Sequence, residues 1–435
     1  MGPAGLFAAL RFADYGIPSI LLERGDPASE RMKKIAAFWR YGKLDEESNV
    51  CYGEGGAGLY SDGKLMTRVK SPYIQYVMNR LVDFGAPPET AYRKDPHLGS
   101  NKIRTLITKI SSYLKEKQCQ LHYRTKVVDI LFDENKKATG VRTEDGRTFH
   151  SPHIILATGH SADDIYKLME EKNVACSAKP FSVGVRMEHP RKLINSIQFG
   201  SFAENEKSRD ILGAAKYRLS YFNKESERGT YSFCMCPGGY VLSSGTQKNG
   251  LVVNGMSNYA HNSPWSNAAL VVSVNLQEQK SDLFAGLKYQ RSIEEKCFEY
   301  SKQVATGREI PAMSLLDFLE GKVSARQLPS SSCPSQTIKA PLHELFEKEV
   351  VLHLQEALLT FNRQMKGIIG KEGLLLAPET RTSSPLSILR HQETLESTSH
   401  TGLYPCGEGA GHAGGITSAA VDGIKVAMSI LEKSV

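Results

Sequence analysis

None of the eight cysteines in this 435-residue chain forms a CxxC pair. That argues against a zinc cluster and against a disulfide framework, so free thiols, a reducing compartment and no metal site are expected. No run approaches the roughly 18 consecutive apolar residues of a membrane span. No secretory or transit signal is visible, which fits a cytoplasmic or plastid-stromal setting. A strong field of one sign is missing as well. The net charge of +7 is the difference between 54 basic and 47 acidic residues. Short basic runs such as RMKK and NKKATG sit among acids and read as solvated faces, so no nucleic-acid partner is expected. Internal repeats are absent. The chain is long enough to bury a large core, and two domains are expected.

Glycine is present in clusters. The chain opens MGPAGLFAAL. Pro3 suits the first turn of a helix, where no N–H is needed. Leu6, Ala9, Leu10 and Ala13 then recur at helical spacing, and Gly16 ends the run. IPSILLE follows as a short strand closing on Glu23, with Arg24 beside it. A glycine turn, a helix and a strand ending in an acid about 20 residues on form the latter part of a Rossmann unit. Such a turn brings backbone close to a pyrophosphate, and the helix N-terminus stabilises its charge. In GxGxxG terms Gly2 and Gly5 are the second and third glycines. The first glycine and its strand are expected ahead of Met1, which is read as an internal start, an alternative transcript or a truncated gene, with any targeting segment lost upstream. A parallel sheet without that central strand would leave apolar neighbours uncovered.

GxGxxG is spelled twice more. GEGGAG (Gly53 to Gly58) lacks a good strand before it and a helix after it. It reads as a loop packed against a cofactor through Gly55, Gly56 and Ala57, with Lys64 available as a cation. GAGHAG (Gly409 to Gly414) follows the short strand GLYPC and opens the helix ITSAAVDGIKVAMSIL. It presents a second helix N-terminus to the same ligand, with Glu408 beside it. Between these, HIILATGHS holds a buried strand ended by Thr158-Gly159. LHYRTKVVDIL alternates like a strand, and EDGR marks a hairpin turn.

The order of these motifs resembles FAD-binding proteins of the glutathione-reductase type. Longer strings, ESNVCYGEGGAGLYSDGKL, FSVGVRMEHP, YSFCMCPGGYV, NGMSNYA, ETRTSSP and LYPCGEGAGHAGGITSAAVDGI, are similar to those of the FAD-dependent dehydrogenase family of bacteria and plastids. The resemblance implies FAD as cofactor. Gly2, Pro3, Ala4 and Gly5 would face its pyrophosphate, Glu23 the adenosine ribose and Val127 the adenine. Thr158 and Gly159 would lie near the pyrophosphate. Gly407 and Glu408 would meet the pyrophosphate or the ribityl chain, and Gly414, Gly415 and Ile416 the flavin pyrimidine ring.

The fold class expected is α/β: a Rossmann-like parallel sheet for FAD with an inserted, mainly antiparallel α+β substrate domain. The division expected is 1–170 for the first part of the FAD domain, 171–374 for the substrate domain and 375–435 for the closing part. In the middle segment FSVGVRMEHP, GTYSFCMCPGGYVLSS, GLVVNGMS and ALVVSVNL read as strands. LHELFEKEVVLHLQEALLTFNRQM reads as helical, and SARQLPSSSCPSQTIKAP as a surface loop. Cys234 and Cys236 would share one strand face, either as redox thiols or as inert structural ones, with an unstrained disulfide between them disfavoured. Glu379 and Arg381 would share a face, and Arg381 could hold a polar substrate or sit in an ion pair. Arg186 and Glu188 have the same spacing. His97, His189 and His412 are candidate acids or bases, His412 foremost.

These features point to hydride transfer between a small organic substrate and FAD, with a diffusing electron acceptor or NAD(P)H as further partner. The alternatives are a flavoprotein acting on RNA and a degenerate flavoprotein that no longer catalyses.

Overall fold

A computed structural model describes residues 1–203, 211–276 and 282–433. Residues 204–210 and 277–281 of the expected middle segment, and 434–435 of the closing one, lie outside these. Helix α1 (Pro3–Asp14) starts with proline in its first turn and buries Leu6, Phe7, Leu10 and Ala13. Strand β1 (Ile20–Leu22) pairs in parallel with β2 (Gln120–His122). β3 (Val127–Phe132), β4 (Ala138–Thr143) and β5 (Thr148–His150) form an antiparallel meander, with the expected hairpin turn between β4 and β5. LHYRTKVVDIL therefore holds two strands in different sheets rather than one. β6 (Ile154–Leu156) pairs in parallel with β18 (Leu403–Pro405).

The parallel layer thus consists of two separate pairs, and no described strand joins β1 to β6. A single cavity is lined by Ile20, Leu21 and Leu22 of one pair and by Ile154, Ile155 and Leu156 of the other. This is where the Rossmann order places the strand that ends in the glycine turn.

The large sheet is mainly antiparallel, in the order β15 (Thr337–Lys339), β14 (Ile310–Ser314), β16 (Leu374–Glu379), β8 (Phe181–Pro190), β13 (Trp265–Val274), β10 (Arg228–Cys236) and β9 (Ser220–Asn223); only β14–β15 is parallel. Two small pairs complete the strands: β11 (Tyr240–Ser243) with β12 (Val253–Met256), and β7 (Cys176–Ala178) with β17 (Leu386–Ile388). Part of the SARQLPSSSCPSQTIKAP loop is therefore strand, and its Cys333 is buried.

Val183, Val185 and Met187 of β8 join one apolar core with Leu270 and Val272 of β13. The helix Lys348–Gln364 adds Val350, Leu354, Ala357, Leu358 and Phe361 to it, at spacings of three and four. The alternate residues of β8 are Ser182, Arg186 and Glu188. They are also buried and need polar partners.

Arg186 finds them in Glu379 of β16, at 2.8 and 3.0 Å, and in Asn267 of β13 at 2.8 Å. Glu188 is held instead by the Ser331 hydroxyl at 2.6 Å and by Ser332. The ion pair therefore runs between strands, and neither Arg186 with Glu188 nor Glu379 with Arg381 pairs along one strand. Removing one partner of a buried pair typically costs about 3–5 kcal/mol. Glu379→Leu should lower unfolding stability in urea by that amount. The double variant Arg186→Met/Glu379→Leu should recover most of it, and an unchanged midpoint in the single variant would refute the pair's role.

Candidate functional site

One cavity of about 2070 Å³ gathers nearly all the glycine motifs. It exceeds the roughly 300–1,000 Å³ of an ordinary ligand pocket. Gly2, Pro3, Ala4 and Gly5 open α1 onto it, and Gly414, Gly415 and Ile416 open the closing helix (Ile416–Lys433) onto it. The α1 N-terminus has no side-chain cap, so its first-turn N–H groups remain available to a ligand. The two helices cross very closely. A Cβ on Gly423 would lie 2.0 Å from the Ala4 carbonyl oxygen, so only glycine fits there. The GEGGAG loop closes the space between the helix ends. Gly56, at φ +61°, lies against Gly2, and a Cβ on Gly58 would meet Ile416 at 3.1 Å. Three chain segments thus converge at the cavity, held close by glycines at their contacts.

Arg31 sets the shape of that loop. Its guanidinium is fully buried and donates to the carbonyls of Glu54 (2.7 Å), Gly56 (3.0 Å), Asn49 (2.7 Å) and Val50 (3.1 Å). RMKK is therefore not a solvated face as a whole, because its first residue is an internal brace. Burial pushes the Arg31 pKa down, against the pull of Tyr60 and Glu23.

Glu23 and Arg24 line the adenosine end expected from the sequence, with Val127. One Glu23 oxygen accepts the Gly25 and Gly53 N–H groups, each at 3.0 Å, and the other meets the Met1 amino group at 2.6 Å. Arg24 lies over the Tyr52 ring, 4.3 Å from its centroid, and binds Glu47 at 2.6 Å. Ala57, Thr158, Gly159 and Gly407 line the same cavity, but Gly55 does not. Gly55 faces Leu59 and Ile107 in the apolar core and donates its N–H to the Met1 carbonyl at 2.9 Å. It is a packing residue rather than a cofactor contact.

Glu408 reaches the cavity; its main-chain carbonyl accepts the Gly411 N–H at 2.9 Å, while its carboxyl has no hydrogen bond or ion pair among the described residues. Burial pushes its carboxyl up to about 7, opposed by Lys179. Lys179, which the sequence reading missed, lines the cavity and donates to the Gly411 carbonyl at 2.9 Å.

The opposite wall carries the polar candidates. Arg381 lines it, with its guanidinium bound to Glu294 at 2.8 and 2.9 Å and to Thr246 at 3.0 Å. His160 stands nearby, and burial pushes its imidazole down to about 4. His97 also lines the cavity, stacked 3.9 Å from His261, whose Nε2 is 3.1 Å from Asp62. Burial and the His261 neighbour push His97 down to about 4, so it is neutral at physiological pH. His412 lines the cavity as well, and its Nε2 is anchored at 2.9 Å to the Ile388 carbonyl. His189 is fully buried against the Ile368 carbonyl and does not line the cavity, so it is not an acid or base for this site.

Lys64 pairs with Asp62 at 2.8 Å and donates to the Met235 carbonyl. Cys234 lines the cavity beside it, whereas Cys236 is fully buried and does not. The two thiols do not share a strand face, because β10 slips register between Phe233 and Cys236. The described residues contain no cluster of three or more His, Cys, Asp or Glu able to hold a metal ion. None of the described helices is long and apolar enough to cross a membrane.

Two positive helix ends and glycine-lined approaches on one elongated cavity define a dinucleotide-binding α/β protein. Residues 180–382 match the family described as FAD-dependent protein, C-terminal domain-like. An uncharacterized protein of Clostridium beijerinckii (strain ATCC 51743 / NCIMB 8052) is 39% identical over 436 residues, covering 99% of this chain and 80% of its own length. The chain belongs to the same family as this Clostridium protein, and its residues 180–382 match a family of FAD-dependent proteins. Among solved structures, CtdE in complex with FAD is 9% identical with a TM-score of 0.34, covering 99% of this chain and 82% of that one. Glycine oxidase from Bacillus cereus ATCC 14579 is 11% identical with a TM-score of 0.35, covering 99% and 95%.

Two measurements test the site. Arg31→Met leaves four carbonyls without their donor, at about 1–3 kcal/mol for each that stays buried and unpaired. The expected result is a loss of at least about 3 kcal/mol in urea unfolding, only partly restored by Arg31→Lys, which lacks the fork. Glu408 gives a pH signature. An unfolded glutamate releases its proton near pH 4.3, whereas the folded one holds it to about 7. The native state therefore binds more protons between these values, and stability falls as pH rises through that window. Glu408→Gln in flavin-free protein should flatten this slope, and an unchanged slope would rule the assignment out.

Proposed function

We propose that this chain is an FAD-dependent oxidoreductase of the dehydrogenase type, acting on a small organic substrate. The observation that carries the reading is the convergence of two helix N-termini and the glycine loop on one cavity. The residues present fit the cofactor, because glycine at 56 and 58 lets the loop pack tightly against Gly2 and Ile416 where both helix ends open onto the cavity. Bound in the cavity, FAD supplies two-electron hydride chemistry that the protein positions and tunes.

The Ala4 and Gly5 N–H groups would hold the pyrophosphate. Glu23, Arg24 and Val127 would orient the adenosine half, and Thr158, Gly159 and Gly407 the centre. Gly414, Gly415 and Ile416, which open the closing helix onto the cavity, would direct its N-terminus at the pyrimidine edge. There it would stabilise negative charge by about 0.3–2 kcal/mol and raise the redox potential. His97, Lys64 and Cys234 line the same cavity and would face the substrate. His97, neutral and stacked, would accept a proton from substrate and become an imidazolium in doing so. A diffusing acceptor or NAD(P)H would complete the cycle.

Purified protein should be yellow, with flavin absorption bands that dithionite bleaches. Anaerobic screening of metabolites and NAD(P)H for the same bleaching identifies the substrate. Absence of flavin with FAD supplied would overturn the reading.

A further inference from the structure

β10 breaks its ladder within the stretch, residues 231–235, that lines the cavity. The register slips between Phe233 and Cys236, and Cys234 takes a φ of +43°. A non-glycine residue in that region is strained, and bulges re-aim side chains at functional sites. The consequence here is that Cys234 lines the cavity while Cys236 stays buried beneath it. The Cys236 thiol donates to the Cys234 carbonyl at 3.3 Å, so its sulfur lies directly against the Cys234 main chain. The left-handed turn thus keeps the two cysteines adjacent while only one of them lines the cavity.

The surroundings favour a thiolate at Cys234. Arg186 donates to its carbonyl at 3.3 Å, and Lys64 donates to the next carbonyl, that of Met235. The hydrogen bond from Cys236 pulls the Cys234 thiol down, with Lys64 and Arg186 adding to it against burial and Asp62. Cys236 moves the opposite way, because the same contact and its burial keep it protonated. Glu408 is the acidic group on the facing wall that feels Cys234. The other six cysteines have neither a partner thiol nor this pair of cations, and Cys51, Cys176, Cys297, Cys333 and Cys406 are all pushed up by burial.

The geometry points to Cys234 and Cys236 as a thiol–disulfide exchange pair that takes small-molecule disulfides from the cavity. The Cys234 thiolate attacks one sulfur of the substrate disulfide and displaces the first thiolate. The Cys236 sulfur then attacks Cys234 Sγ and displaces the second half, which leaves as a thiol carrying the Cys236 proton. The pair loses two electrons, the substrate disulfide gains them, and the net charge is unchanged. The assignment deepens the oxidoreductase reading by naming a substrate class for the same cavity, and it rests on that reading only for the later exchange of electrons with flavin.

The test uses the full reduced chain with 2-hydroxyethyl disulfide, followed by alkylation and peptide mapping. The expected product is a peptide lighter by two hydrogens that joins Cys234 to Cys236, formed before any other cysteine reacts. Cys236→Ser should stop at a mixed disulfide on Cys234. Iodoacetamide should modify Cys234 in wild-type protein at pH 7 at least about tenfold faster than an ordinary free thiol, which is only a few per cent ionised there. Lys64→Met should slow it. Equal reactivity of all eight cysteines, or a first disulfide elsewhere in the wild-type chain, would overturn the proposal. A yellow protein that fails this test rejects only the cysteine pair, and a colourless protein that passes it rejects only the flavin reading.

Discussion

The cavity depends on one buried cation. Arg31 has no carboxylate within hydrogen-bond reach and is solvated instead by four main-chain carbonyls of residues 49–56. Loop carbonyls that turn inward need donors, since an unpaired buried one is costly. A single forked side chain supplies four N–H bonds at once, which lysine cannot do. The loop it fixes then lies against Gly2 on one side and Ile416 on the other, so both helix N-termini take their positions from it. Glu54 continues the brace. Its carboxylate accepts the Ala28 N–H at 2.7 Å and hydroxyls from Ser111 and Tyr123.

The large sheet solves a related problem on its cavity side. One face is apolar and packs on the Lys348–Gln364 helix. The other carries buried charges, each held by a partner from another element. Arg186 joins β8 to β16 through Glu379, and Arg381 is tied to Glu294 of the Ala285–Val304 helix. Such pairs often contribute little net stability against an apolar equivalent. Their effect here is positional. They hold fixed charge beside the cavity while keeping each guanidinium satisfied. Trp39, whose indole N–H donates to the Ser243 carbonyl at 2.8 Å, ties the Ala28–Tyr41 helix to β11 and so links the Arg31 brace to this side of the molecule.

What the sequence made legible was whatever is local. Proline and glycine bracket α1, a ten-residue alternation marks β8, and GAGHAG sits at the start of a long apolar-striped helix. Each signal lies within a few residues of the element it specifies. Pairings across great sequence distance left no such trace. Arg186 and Glu379 lie 193 positions apart, and either could have been assigned to its near neighbour of opposite charge. Arg31 sits in a run that composition marks as surface, and only the backbone of a loop 18 to 25 residues away makes it internal. Gly55 shows the converse. It belongs to a glycine motif whose neighbours face the cavity, yet its own position packs inward.

The β10 bulge was invisible for a further reason. Cys-Met-Cys in a strand predicts two side chains on one face, and nothing in YSFCMC disfavours a regular ladder. The irregularity comes from tertiary demands on the flanking main chain. Arg186 and Lys64 draw on the carbonyls of residues 234 and 235, which a regular ladder would turn toward neighbouring strands. Beyond the bulge, Cys236 resumes pairing with Asn267, whose side-chain oxygen is the same one that binds Arg186. The cations that satisfy the displaced carbonyls are also those that favour a thiolate at Cys234. Strain, charge and access to the cavity therefore have one origin, the insertion of two basic side chains where a strand would otherwise bond only to strands.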